Sequence, residues 1–314
     1  LAIDIPKISY TDKIKEIKLG REDNIITVGG ESCYPFHLFE GQIPNPPKIA
    51  MLVYDSVSDE WPETVVEPFA DVIHDPAAWA EKCVNVYGAE LICLQLSSTD
   101  PNDKNAEAAE AVATVKRVLE AVEVPLIVWG SDNVEKDSEV LRLACELCEG
   151  KNLVVGPVSE GNYRAIGATA LAYNHMVMAS TPIDINLAKQ LNILLGNLNV
   201  PDDKIIIDPS TGALGYGLEY SYSVIERIRM AALSQGDEKL QSPIIVNIAQ
   251  EVWKTKEVKV SEAEAPLLGD QRKRGIMFEA LTAQCMLLAG VDILIMMHPE
   301  AVKLVKESIQ DLMA

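Results

Sequence analysis

From about residue 48 onward the chain alternates between two hydrophobic rhythms. Short apolar runs rich in Ile, Val and Leu are each followed by a longer stretch whose apolar positions recur three and four residues apart. The short runs are Ile49–Tyr54, Leu91–Leu96, Leu126–Trp129, Leu153–Val155, Met176–Ala179, Ile205–Ile207, Ile244–Val246 and Ile293–Met297. The helical patterns that follow them span Ala77–Tyr87, Ala106–Val122, Glu135–Cys148, Tyr163–Tyr173, Leu187–Leu198, Ser223–Ser234, Met277–Ala289 and Glu300–Leu312. Strands uninterrupted by polar residues are strands buried on both faces, and strict alternation with helices means a parallel sheet. Eight such units in about 265 residues predict an α/β fold, a closed eight-stranded β/α barrel. A doubly wound open sheet is the alternative, weakened by the lack of a G-x-G-x-x-G after the first strand.

The unit from Ile205 to Leu233 shows the pattern most fully. Ile205, Ile206 and Ile207 form the strand, and Asp208-Pro209 ends it because Pro cannot continue a central ladder. A loop with Gly212, Gly215 and Gly217 follows. The Ser223/Glu226 spacing of a capping box then predicts a helix start at Ser223.

The opening segment lacks this rhythm. Ile25–Val28 reads as a short strand closed by Gly29 and Gly30, and Pro35–Gly41 as a turn-rich run. The expected organisation is an N-terminal hairpin extension over residues 1–47, covering one end of the barrel, and a barrel over 48–314. Pro44, Pro46 and Pro47 mark the boundary. The charged stretch Lys254–Arg274 is expected to be a mobile surface loop inserted between the seventh strand and its helix.

Composition narrows the classes. With 27 Lys and Arg against 47 Asp and Glu, the formal charge of −20 repels phosphate backbones, so nucleic acid is not an expected partner. No apolar run reaches membrane-spanning length and no leader pattern opens the chain, so a membrane association is not expected either. Six scattered cysteines fit a reduced, cytoplasmic protein better than a disulfide scaffold.

In β/α barrels the chemistry lies at the carboxyl ends of the strands. Those ends carry Asp55, Ser97–Asp100, Ser131–Asn133, Ser159-Glu160, Thr181–Asn186, Asp208–Gly212, Asn247–Glu251 and His298-Pro299. No Lys stands immediately at a strand end, which disfavours Schiff-base chemistry, and His298 alone is too little for a hydrolytic metal centre. His298 reads as a structural hydrogen-bonding residue, as do His37, His74 and His175. Cys145 and Cys148 have C-x-x-C spacing inside a helix and read as core. Asp208 suits a turn cap or a ligand contact equally, and Asn247 a buried backbone partner or a ligand contact.

Several stretches go further. Asp184-Ile185-Asn186, Ile207-Asp208-Pro209 and Val246–Gln250 resemble the pterin-binding barrels, which include methyltetrahydrofolate:corrinoid methyltransferases. Pro35–Gly41, Ser180–Leu195 and Ile207–Leu233 are similar to the small subunit of the corrinoid/iron–sulfur protein, the acetyl-CoA decarbonylase/synthase delta subunit family of the Wood–Ljungdahl pathway. That resemblance spans the chain. It implies a non-catalytic half of a methyl carrier, with a cobamide (a cobalamin-type corrinoid) shared with a large subunit that also carries the [4Fe–4S] cluster. Further implied partners are a methyltetrahydrofolate:corrinoid methyltransferase and acetyl-CoA synthase. The cofactor carries the difficult chemistry; the barrel mouth shelters it. On this reading Thr181, Asp184, Asn186, Asp208, Ser210, Thr211, Gly212, Asn247 and Gln250 line the cobamide-facing mouth. Two rivals remain: a pterin-binding methyltransferase using Asn247 with Asp184 or Asp208, and a structural scaffold with an empty mouth.

Overall fold

The computed structural model describes residues 5–21, 24–58 and 60–314. Part of the expected N-terminal extension, residues 1–4 and 22–23, lies outside the described residues.

Strands β1 (Ile17–Arg21) and β2 (Asn24–Val28) form an antiparallel hairpin, registered from Ile17 opposite Val28 to Arg21 opposite Asn24. Eight parallel strands follow: β3 (Lys48–Tyr54), β4 (Leu91–Gln95), β5 (Leu126–Trp129), β6 (Val154–Val158), β7 (Met176–Ser180), β8 (Ile205–Asp208), β9 (Ile245–Asn247) and β10 (Ile293–Met296). They pair in the order β8-β7-β6-β5-β4-β3-β10-β9. A parallel bridge between Ile207 and Ile244 brings the last edges together, supported by Ile207 N–H donating to Pro243 O at 2.9 Å. The sheet thus closes on itself, as the alternation of units requires.

Every residue of β4, β5, β8, β9 and β10 is buried, because side chains point alternately into the barrel and under the helices, and both places are dry. The helices bury one stripe each. In Ala108–Ala121 it is Ala108, Ala111, Val112, Val115 and Val118, spaced to lie on one face. Each such valine contributes about 1.5–3 kcal/mol by leaving water. A charged side chain at Val115 would forfeit that and add an unpaired buried charge.

Two local expectations are corrected. The helix after β8 starts at Leu218, five residues before Ser223; Gly217, with φ of 93°, turns the chain into it, and the Ser223/Glu226 spacing falls inside the helix. The 254–274 insertion is not a bare loop. It holds a short helix, Lys256–Lys259, with Val258 buried, and its last residues are the first turn of helix Gln271–Ala289, capped by Asp270.

The hairpin closes the amino-terminal end of the barrel. Asn152, just before β6, donates to Gly20 O at 2.8 Å, and Lys15 N–H donates to Gln241 O, ahead of β9, at 2.8 Å. Gly20 sits at φ of 85°, where a Cβ would stand 2.3 Å from Asn24 O and 2.6 Å from Pro125. Only Gly lets the hairpin approach this closely. At the same end, buried Arg229 donates to Gly290 O (2.7 Å) and to Asp292, which also accepts from Ile244 N–H at 2.5 Å. With this end plugged, the carboxyl ends of the strands are left as the open face.

Candidate functional site

The open face holds a cavity of about 350 Å³. Its floor and one wall come from Asp208, Ser180, Thr181, Ser210 and Thr211 at the ends of β7 and β8, facing Asn247, Gln250 and Glu251 after β9. Trp129, Asp132 and Asp137 complete the ring from the β5 side. Six of the nine expected residues therefore come together here: Thr181, Asp208, Ser210, Thr211, Asn247 and Gln250. Asp184, Asn186 and Gly212 do not line it. Asp184 caps the helix Ile185–Asn197, accepting from the N–H groups of Asn186 (2.7 Å) and Leu187 (3.1 Å), and Asn186 is exposed beside it. Gly212 is buried where an added Cβ would meet Tyr216 O at 2.5 Å, so its small size serves loop packing.

The residues that do face the cavity divide into committed and uncommitted groups. Asn247 is committed at both ends of its amide: Oδ1 accepts from Gln250 N–H at 3.1 Å, and Nδ2 donates to Gln250 Oε1 at 3.2 Å. Ser210 is held in the left-handed region (φ 61°), donating to Thr181 O at 2.9 Å. The hydroxyls of Ser180, Thr181 and Thr211 and Asp137 Oδ2 are buried with no protein partner. Buried polar atoms are paired as a rule, so a group of four around one cavity marks a place built for a hydrogen-bonding ligand or ordered water.

Two carboxyls here are unusually basic. Burial pushes Asp208 up to about 7, with the negative charges of Asp132 and Glu251 adding to it; the N–H of Ser210 (3.0 Å) and the adjoining Ser180 hydroxyl, which forms no well-directed bond, pull the other way. Burial likewise raises Asp137 to about 6, against the lowering effect of Ser131, whose N–H (2.7 Å) and hydroxyl (3.0 Å) it accepts. A carboxyl kept neutral near pH 7 donates a hydrogen bond rather than presenting a charge.

Asp137 was not legible as a mouth residue from strand ends. Asp137 lies one turn inside the helix Val134–Leu147, on its buried stripe with Val140, Leu141 and Ala144. An acidic residue at an apolar position of that stripe is the signal that would have found it.

The histidines read as structural bear this out where they are bonded. His298 caps its helix, accepting from Glu300 N–H at 3.2 Å; buried His175 accepts from Leu153 N–H (3.0 Å) and faces Cys145 O (2.9 Å); exposed His37 contacts Glu40. His74 is exposed. Cys145 and Cys148 are buried and unbridged, with thiols raised by burial. Among the described residues no group of three or more His, Cys, Asp or Glu is placed to hold a metal ion, and no helix is long and apolar enough to cross a membrane.

The barrel is similar to dihydropteroate synthases. That of Coxiella burnetii, in complex with pteroic acid, superposes with a TM-score of 0.58 at 13% identity, covering 96% of this chain and 100% of that one. The enzyme from Thermus thermophilus gives 0.53 at 14%, covering 88% and 97%. At such identities the likeness is one of fold. Sequence relatives are closer. The acetyl-CoA decarbonylase/synthase complex subunit delta of Archaeoglobus fulgidus is 38% identical over 313 residues, covering 96% of this chain and 69% of that protein. The Methanopyrus kandleri subunit is 38% identical over 292 residues, covering 93% and 71%. Residues 16–304 match the family described as CO dehydrogenase/acetyl-CoA synthase delta subunit. The chain belongs to that family.

Proposed function

We propose that this chain is the non-catalytic, small-subunit half of a corrinoid/iron–sulfur methyl carrier, whose mouth covers the upper face of a cobamide shared with a large subunit. The iron–sulfur cluster belongs on that companion. A methyltetrahydrofolate:corrinoid methyltransferase supplies the methyl group and acetyl-CoA synthase receives it. When bound, the cobamide supplies the methyl-accepting and methyl-releasing centre.

One observation carries this reading: the residues of the 350 Å³ cavity offer three unpartnered hydroxyls and a buried carboxyl, Asp208, that is part-protonated near pH 7, and none of them is Cys, His or Lys. Such a lining fits a corrin, whose periphery is amides and methyl groups. Ser180, Thr181 and Thr211 are placed to bond its amides, Asp208 to donate to one, and Pro157 and Val134 to keep water from its face. Nothing among those side chains competes for a methyl group.

The methyltransferase alternative finds less support in the same residues. It needs Asn247 free to polarise a pterin nitrogen, yet both ends of that amide are spent on Gln250; of its two candidate ring-binding carboxyls, Asp184 is spent on a helix cap and Asp208 alone lines the cavity. Titrating the purified chain with methyltetrahydrofolate separates the two. A carrier subunit leaves it unbound. Saturable binding by the chain alone, or methyl transfer from it, would establish the enzyme instead.

A further inference from the structure

Gln250 is shared by two cavities. The second, about 290 Å³, opens beside the first under β3, β4 and the segment after β9. Its character is different: Tyr54, Trp61 and Trp253 wall it, Met297 lies beneath, and Lys254 and Lys259 stand at its edge. Trp253 is 5% exposed, and Tyr54 and Trp61 meet edge-on with centroids 4.7 Å apart, so the walls are fixed. Besides Gln250, Ser58 and Glu60, the lining includes the amide of Gln95, at the end of β4. Gln95 is 5% exposed and its Oε1 has no partner.

The chemistry of an occupant follows from these groups. Both lysines already face carboxylates, Lys254 bonding Glu251 at 2.6 Å and Lys259 standing 3.7 Å from Glu60. The pocket therefore offers no net charge to a cation or an anion. Aromatic walls favour a carbon stem, and an unpaired amide favours another amide, since the two match donor to acceptor whichever way Gln95 is turned.

Resting on the methyl-carrier reading, we infer that this cavity is a carboxamide pocket. It receives an acetamide side chain from the upper face of the corrin, paired with Gln95 and packed against Trp61 and Trp253. The 350 Å³ cavity then faces the centre of the macrocycle, and this one fixes its rotation about the cobalt axis.

The test strips cobamide from the native complex containing this chain. The complex is then reloaded with cobalamin, or with cobalamin whose acetamides have been hydrolysed to carboxylates, and retention is read by absorbance in equilibrium dialysis. Wild type should prefer the amide form by about ten-fold or more, as expected when a buried amide must face a carboxylate. Gln95→Leu should lose most of that preference. Trp61→Leu, at a partly buried loop position packed against Tyr54 and Trp79, should weaken cobalamin retention. Undiminished preference in Gln95→Leu, or no preference in wild type, overturns the carboxamide pocket while leaving the carrier reading intact. No cobamide in the complex at all overturns both.

Discussion

Gln250 and Asp132, 118 residues apart in sequence, meet across the mouth, with Gln250 Nε2 donating to Asp132 Oδ2 at 2.7 Å. Asp132 is held in turn by Trp129 Nε1 at 3.1 Å and adopts the left-handed region at φ of 67°. Gln250 is braced by Asn247. The pair is a strap between the β5 and β9 sides of the barrel, lying where the two cavities adjoin. Gln250→Ala should cut it at little cost in stability, about 1 kcal/mol or less, because the bond is solvent-exposed. Cobamide affinity should change clearly more than melting temperature. Equal, small effects on both would show that the strap has no bearing on the mouth.

Asp208 makes the protein's stability depend on pH in a calculable direction. Its folded pKa of about 7 lies above the ordinary 3.8, so between about pH 4 and 7 the folded state holds a proton that the unfolded state has lost. Its contribution to stability is therefore full below the lower value and falls as pH rises through the upper one. Asp208→Asn keeps the acceptor for Ser210 N–H and removes the charge. The variant's margin over wild type should grow between pH 5 and pH 8, by roughly 1–3 kcal/mol. Parallel thermal melts at the two pH values measure the difference.

His298 acts in the opposite sense. Burial lowers it to about 4, so below its ordinary 6.5 the unfolded state gains a proton that the folded state refuses. Its contribution rises with pH and is complete above about 6.5. His298→Ala also removes the cap on Glu300 N–H and should cost about 1–2 kcal/mol at pH 8. His298→Asn restores a capping oxygen and should recover much of that. Chemical denaturation of the three proteins at pH 5.5 and 8 tests both statements.

The buried pair of Arg229 and Asp292 ties helix Leu218–Ser234 to the starts of β9 and β10. Asp292→Ala leaves the guanidinium without its partner and Ile244 N–H without an acceptor. It should cost about 3–5 kcal/mol, visible as a lowered urea midpoint. Arg229→Met together with Asp292→Leu should cost less than the single change.

The barrel was legible because buried parallel strands are the least ambiguous pattern a sequence offers: Ile205–Ile207 has no polar residue to place outside. The start at Leu218 was not, because Leu218–Tyr222 has no cap signal while Ser223 and Glu226 offer a false one. The candidate site was half legible for a related reason. Polar residues at strand ends are also the residues that cap the next helix, so Asp184 and Asn247 look like ligand contacts yet accept backbone N–H groups. Asp137 reaches the mouth from within a helix and Trp253 the adjoining cavity from just beyond one, and no reading of strand ends includes them.

The most direct test of a sheltering mouth is hydrogen exchange on this chain within its native complex, with and without cobamide. Protection should appear at residues 131–133, 180–182, 208–211 and 247–254, with the β1–β2 hairpin unchanged. Protection confined to the hairpin end, or none anywhere on the chain, would contradict it.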